Sequence, residues 1–159
     1  MRYRGKVWRH VPAGAHPLNA GYILRAAGRW NRPGIYGCLY TSLTPDGARA
    51  EYHKYLRRAG VVGATNPREL VSIEVDIDAI VDLTDSGSSP VPPTSPFLTG
   101  DDPKELERCR SLADSLRARG CAGILAPSSA APGDKNLAIY IDGIAGNVTL
   151  EAGADRLPL

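Results

Sequence analysis

Between Leu70 and Leu83 the chain alternates: Val71, Ile73, Val75 and Ile77 are apolar, while Ser72, Glu74, Asp76 and Asp78 between them are polar. Successive side chains of a strand point to opposite faces, so this pattern predicts one buried face and one wet face. A half-buried strand needs neighbours and a cover, which ties the chain to a sheet with other elements packed on one side. The intervening acids read as a solvated face rather than as a site.

The other elements follow from periodicity and punctuation. Val7–Val11, Ile35–Leu43, Cys121–Ala126 and Leu137–Ile141 read as strands, and Val148–Glu151 as a last short one before a frayed tail. Thr44 followed by Pro45 is an N-cap and first-turn pair, and opens a helix to Arg58. Asp102-Pro103 with Glu105 is a capping signal for a second helix, whose buried stripe is Leu106, Cys109, Leu112, Ala113 and Leu116 and which Gly120 ends. Asp85–Gly100, with Pro90, Pro92, Pro93 and Pro96, is a surface loop that can be neither helix nor central strand. Pro12–Pro33 is a second long loop with room for one helical turn, and a loop of that length in a compact domain is more often functional than idle. Strands outnumber helices without regular alternation, which is an α+β pattern.

At 159 residues and 17.0 kDa the chain is expected to form one domain, 1–159, with a sizeable core. Its net charge of +2 conceals an asymmetry. Residues 1–68 hold twelve Lys and Arg against Asp46 and Glu51, a net +10, and the remainder carries −8. Either the first half meets an anion or the halves neutralise each other in the fold. Cys38, Cys109 and Cys121 have no metal or redox spacing and read as reduced, buried thiols. No apolar run approaches the ~20 residues of a membrane span, and the N-terminus lacks a signal-peptide core, so the expectation is a cytoplasmic protein.

Glu51 is out of place. In the helix that starts at Thr44, Ala48, Tyr52, Tyr55 and Leu56 share a stripe, and Glu51 falls inside it. A buried carboxylate without a partner costs several kcal/mol, so it must be paired or put to use. Its candidate company is Arg9, Arg29, Tyr40 and Ser128, with Ser129 as an alternative to Ser128. Two arginines can fork onto a pyrophosphate, and a tyrosine face can stack on a planar ring. A glutamate can bind a ribose hydroxyl and stabilise positive charge at the anomeric carbon. A pyrophosphate, a ribose and a planar cationic leaving group together describe NAD as substrate, with no cofactor. His10, His16 and His53 lack ligand-spaced partners for a metal, and no Gly-rich phosphate loop or nucleophile elbow is present.

The order of these motifs is similar to that of the RES domain family. Trp8-Arg9, Gly28-Arg29-Trp30-Asn31, Leu39-Tyr40-Thr41-Ser42, Ala48 with Glu51, Val75-Asp76, Val81-Asp82-Leu83-Thr84-Asp85, Ala126-Pro127-Ser128 and Asn136-Leu137 carry the resemblance over nearly the whole chain. It implies an ADP-ribosyltransferase-like fold, with mixed sheets around a cleft and flanking helices. It also implies a toxin that degrades NAD, as glycohydrolase or phosphorylase, or that transfers ADP-ribose to a protein. Arg9, Glu51 and Ser128 match the residues that name the family, and Arg29 its second arginine motif. The implied partner is an Xre-type helix-turn-helix antitoxin, with phosphate as a further ligand and a homodimer inside a larger complex as the assembly. Ala130 stands where family members often have a basic residue. The non-enzymatic alternative is a basic nucleic-acid-binding module; few aromatics and no helix-turn-helix or RNA-binding signature count against it.

Overall fold

The computed structural model describes residues 1–19, 23, 28–63, 66–142 and 148–159. Among these, seven strands form one mixed sheet: β1 (Tyr3–Pro12), β2 (Cys38–Ser42), β3 (Arg68–Ile77), β4 (Ile80–Asp82), β5 (Gly123–Pro127), β6 (Lys135–Tyr140) and β7 (Val148–Pro158). Their order is β4-β5-β6-β2-β1-β3-β7. Only β4 and β5 run parallel; every other neighbouring pair is antiparallel. The helices are α1 (Pro45–Arg58) and α2 (Pro103–Ala118). The α+β reading therefore holds. Beyond the end of β1, the described residues of Pro12–Pro33 form turns and irregular loop with no helix, and the remainder of that stretch lies outside the described residues.

β1 and β3 share ten register pairs, whereas β1 and β2 share one, Trp8 with Ser42. The sheet is pinched at that seam. One core cluster draws Val7, Ile73, Val75 and Ile77 from one side of the seam and Leu39, Leu125, Leu137 and Ile139 from the other, so the two halves close on each other. A second cluster packs Cys109, Ala113 and Leu116 of α2 over Ile124, Ala126, Ala138 and Tyr140. Small residues on both sides let the helix sit close, and each fully buried large apolar side chain contributes roughly 1.5–3 kcal/mol.

Local signals set the helix ends. The Thr44 side chain accepts from the Gly47 amide, and Asp102 with Glu105 completes a capping box. Other expectations are corrected. The Leu70–Leu83 strand is two strands, because Ala79 takes φ +60° and breaks the pleat. β7 extends to Pro158 where a frayed tail was expected, held by pairing with β3 across a bulge between Val71 and Ile73. The loop Asp85–Gly100 contains a 3-10 turn at Pro96–Leu98. β2 begins only at Cys38, and Ile35 is 73% exposed.

Candidate functional site

α1 lies beside β1, β2 and β3 and buries a narrower stripe than periodicity predicts. Ala48 and Tyr52 are buried, but Tyr55 is 62% exposed. Glu51 sits half-buried at the margin of this stripe and is paired, as a carboxylate there must be. Ser128 Oγ donates to Glu51 Oε1 at 3.0 Å, and Asn136 Nδ2 donates to the same oxygen at 2.7 Å. Ser42 Oγ donates to Asn136 Oδ1 at 3.0 Å, which fixes the amide that faces Glu51. Ser42 and Asn136 are register partners of β2 and β6, so the sheet itself sets this geometry. Glu51 Oε2 is unbonded among the described residues. No fully buried polar side-chain atom there lacks a partner, so Oε2 is not fully buried.

Ser128 is 4% exposed, and its Oγ also accepts from the amides of Ala130 and Ala131 at 3.2 and 3.0 Å. Its hydroxyl is thus held by a turn and aimed at Glu51. Ser129 instead accepts from Lys54 Nζ at 2.8 Å, which makes Ser128 the serine that touches Glu51.

Arg9 and Arg29 form no hydrogen bond or ion pair with Glu51. Arg9 lies on the opposite face of β1 from His10, which packs on Tyr52 of α1 with ring centroids 4.8 Å apart. Its Nη1 donates to the carbonyls of Pro17 and Asn19 at 3.1 and 2.9 Å, and it has no carboxylate partner among the described residues. Burial, together with the nearby Arg68 charge, lowers its pKa to about 10. Arg29 is 11% exposed, pairs with Asp101 at 2.8 Å and donates to the Gly100 carbonyl. Tyr40, partly buried, donates to Asn31 Oδ1 at 2.7 Å and accepts from the Trp30 amide at 2.8 Å, so its hydroxyl locks the Gly28–Asn31 turn. Burial raises its pKa well above the ordinary tyrosine range.

The sequence reading gave no role to three contributors. Asn136 is the second donor to Glu51. Lys54 reaches Ser129 and Asp101 from the turn after Glu51. Arg68 donates through Nε to His10 Nδ1 at 2.9 Å, and its guanidinium lies 5.9 Å from the Tyr52 ring. The i, i+3, i+7 spacing of Glu51, Lys54 and Arg58 was a readable sign of a shared helix face. The charge asymmetry is largely met internally: Arg2 pairs with Asp76, Lys6 with Asp155, and Arg32 with Glu107 and Asp114. A cleft of about 610 Å³ lies toward Tyr52, His53, Arg68 and Arg156, and Glu51 does not line it. No helix among the described residues is long and apolar enough to cross a membrane.

The RES domain family matches residues 6–157. Among solved structures, a chain of the M. tuberculosis MbcT–MbcA toxin–antitoxin complex superposes with a TM-score of 0.78 at 17% identity, covering 100% of this chain and 86% of that one. No curated protein matches the sequence significantly.

Proposed function

Because the chain belongs to the RES domain family, we propose that it is a toxin that consumes NAD by breaking the bond between nicotinamide and ribose. The observation that carries this reading is the state of Glu51: one oxygen is fixed by Ser128 and Asn136, and the other makes no hydrogen bond among the described residues and is not fully buried. In the proposed reaction Oε2 accepts a hydrogen bond from a ribose hydroxyl, and the carboxylate stabilises positive charge as the anomeric carbon becomes oxocarbenium-like. The C–N bond breaks with its electron pair leaving on nicotinamide, which neutralises the ring. An oxygen of water or inorganic phosphate then bonds to the anomeric carbon and releases its proton to solvent. Tyr40 packs against the nicotinamide, while Arg9 and Arg29 face the pyrophosphate. Arg9 is a buried cation without a carboxylate partner among the described residues but lies on the face of β1 away from α1, whereas Arg29 is linked to the surroundings of Glu51 through Asp101 and Lys54. Ser128 acts by positioning Glu51.

Glu51→Gln keeps both hydrogen-bond partners and removes the charge. Nicotinamide release from NAD should then fall by roughly 10²–10³-fold, the scale for loss of a preorganised electrostatic group. The melting temperature should hardly move. Undiminished release by the folded variant would overturn the assignment. Running the wild type without any protein acceptor separates hydrolysis or phosphorolysis from ADP-ribosylation of a protein, since only the latter needs the acceptor.

A cytoplasmic activity of this kind needs an inhibitor, and the structural neighbour comes from a toxin–antitoxin complex. The proposed partner is an antitoxin of the Xre helix-turn-helix class that inserts a carboxylate, from a side chain or its own C-terminus, against Arg9 or Arg29. The complex should neither bind nor cleave NAD, and calorimetry checks this. NAD binding to the complex as tight as to the free protein would place inhibition elsewhere.

A further inference from the structure

Three cations from two parts of the chain converge on one carboxylate. Arg29 Nη2 lies 2.8 Å from Asp101 Oδ1, Lys54 Nζ 2.8 Å from Oδ2, and Arg58 Nη1 3.4 Å from Oδ1. Arg29 comes from the Gly28–Asn31 turn, and Lys54 and Arg58 from α1, three and seven positions after Glu51. Arg29 and Lys54 are only 11% and 14% exposed, whereas Asp101 is 39% exposed on the segment that leads into α2. One negative charge therefore answers three positive ones, and the anion is more accessible than Arg29 and Lys54 but less so than Arg58, which is 54% exposed. Lys54 also donates to Ser129, next to the serine that holds Glu51, so the cluster adjoins the reaction centre.

We infer that Arg29, Lys54 and Arg58 form a phosphate-binding subsite beside Glu51, and that Asp101 is its built-in occupant, displaced when a phosphate group enters. The inference deepens the NAD reading and rests on it for where the phosphate comes from. A carboxylate offers two oxygens and one charge to this set of donors. Inorganic phosphate, or the two phosphoryl groups of a dinucleotide pyrophosphate taken together, offers four free oxygens and more charge, which suits two guanidiniums and an ammonium better. Asp101 stays ionised as a competitor: burial works against its charge, but the Lys54 hydrogen bond and the Lys54, Arg29 and Arg58 charges outweigh that and hold its carboxyl below the usual range. Because Asp101 is tethered on the segment that enters α2, its exchange with ligand is a local movement, and its presence sets a threshold concentration for phosphate. Arg29, braced by Asp101 in this state, becomes free for the substrate only after that exchange.

The test is titration of the full chain with inorganic phosphate at fixed ionic strength, followed by calorimetry, with no NAD present. Asp101→Asn removes the competing charge and should tighten phosphate binding roughly ten-fold, the scale of one charge-assisted hydrogen bond. Lys54→Met should weaken it by at least about that factor. Thermal melts show that both variants are folded. Should Asp101→Asn bind phosphate no more tightly than wild type, and Lys54→Met no more weakly, the cluster only pins the segment before α2 and the subsite is refuted. The source is then read in the Glu51→Gln background: competition between NAD and phosphate identifies the dinucleotide pyrophosphate as the natural occupant, and simultaneous binding identifies free phosphate as the acceptor. Phosphate binding without NAD cleavage by the wild type would keep the subsite and sink the NAD reading. The reverse outcome would do the opposite.

Discussion

His10 illustrates how a single side chain couples the stability of the fold to pH. Burial, then the charges of Arg68 and Arg9, lowers its pKa to about 4, and its ring Nδ1 accepts from Arg68. In the unfolded chain the same imidazole titrates near pH 6.5. Above that value both states are neutral there and the residue adds no pH dependence. As pH falls from about 6.5 towards 4 the unfolded state takes up a proton that the native state refuses, so stability is lost, by roughly 3 kcal/mol at most. His10→Gln keeps an acceptor for Arg68 but cannot titrate. Urea unfolding at pH 7 and pH 4.5 should show a smaller acid loss in the variant than in wild type; equal losses would assign the acid sensitivity to the carboxylates alone.

At the scale of elements, the Gly28–Asn31 turn holds more than its length suggests. Asn31, fully buried, accepts from the Gly28 amide at 2.9 Å and from Tyr40, and the Trp30 carbonyl accepts from Tyr140 at 2.8 Å. A Cβ at position 28 would overlap the Tyr40 phenol. Gly28→Ala should therefore cost about 1–3 kcal/mol as an overpacking change, read as a melting temperature lower by roughly 3–10 °C for a chain of this size. An unchanged melt would mean that Tyr40 swings aside freely. Capped helices and alternating strands were legible because their signals are local: Thr44, the Asp102–Glu105 box and the Val71–Ile77 alternation each act within a few residues. The break at Ala79 was not, since alanine carries no sign of a left-handed backbone. Nor was the length of β7, where Glu151, Ala152, Gly153 and Ala154 have poor strand preference and the strand is held by β3 on both sides of the bulge, through Glu151 and Ala152 before it and Arg156, Leu157 and Pro158 after it. Glu51 announced itself by its misplacement on an apolar stripe. Lys54 looked like any solvated helix lysine, because its partners Asp101 and Ser129 lie 47 and 75 positions away.

The whole molecule is assembled from distant pieces. β1 and β2, neighbours in sequence and in the sheet, touch through one register pair, while β2 completes itself with β6 and β1 with β3. The donors to Glu51 come 77 and 85 positions later in the chain. A topology dominated by such pairings closes large loops before it gains contacts, and refolding is expected in milliseconds to seconds rather than microseconds. Stopped-flow fluorescence can follow it through Trp30, which is buried in the native state. A microsecond phase carrying the full amplitude would contradict this. The same topology sets a clock on the ribosome. A nascent chain that has emerged as far as α2 carries Glu51 with neither Ser128 nor Asn136 to aim it. At roughly 5–20 residues per second, the stretch between them takes several seconds to make. Glu51 is therefore synthesised early and aimed late, and under the proposed NAD-consuming reading an inhibitor waiting beside the ribosome would have that interval in which to arrive.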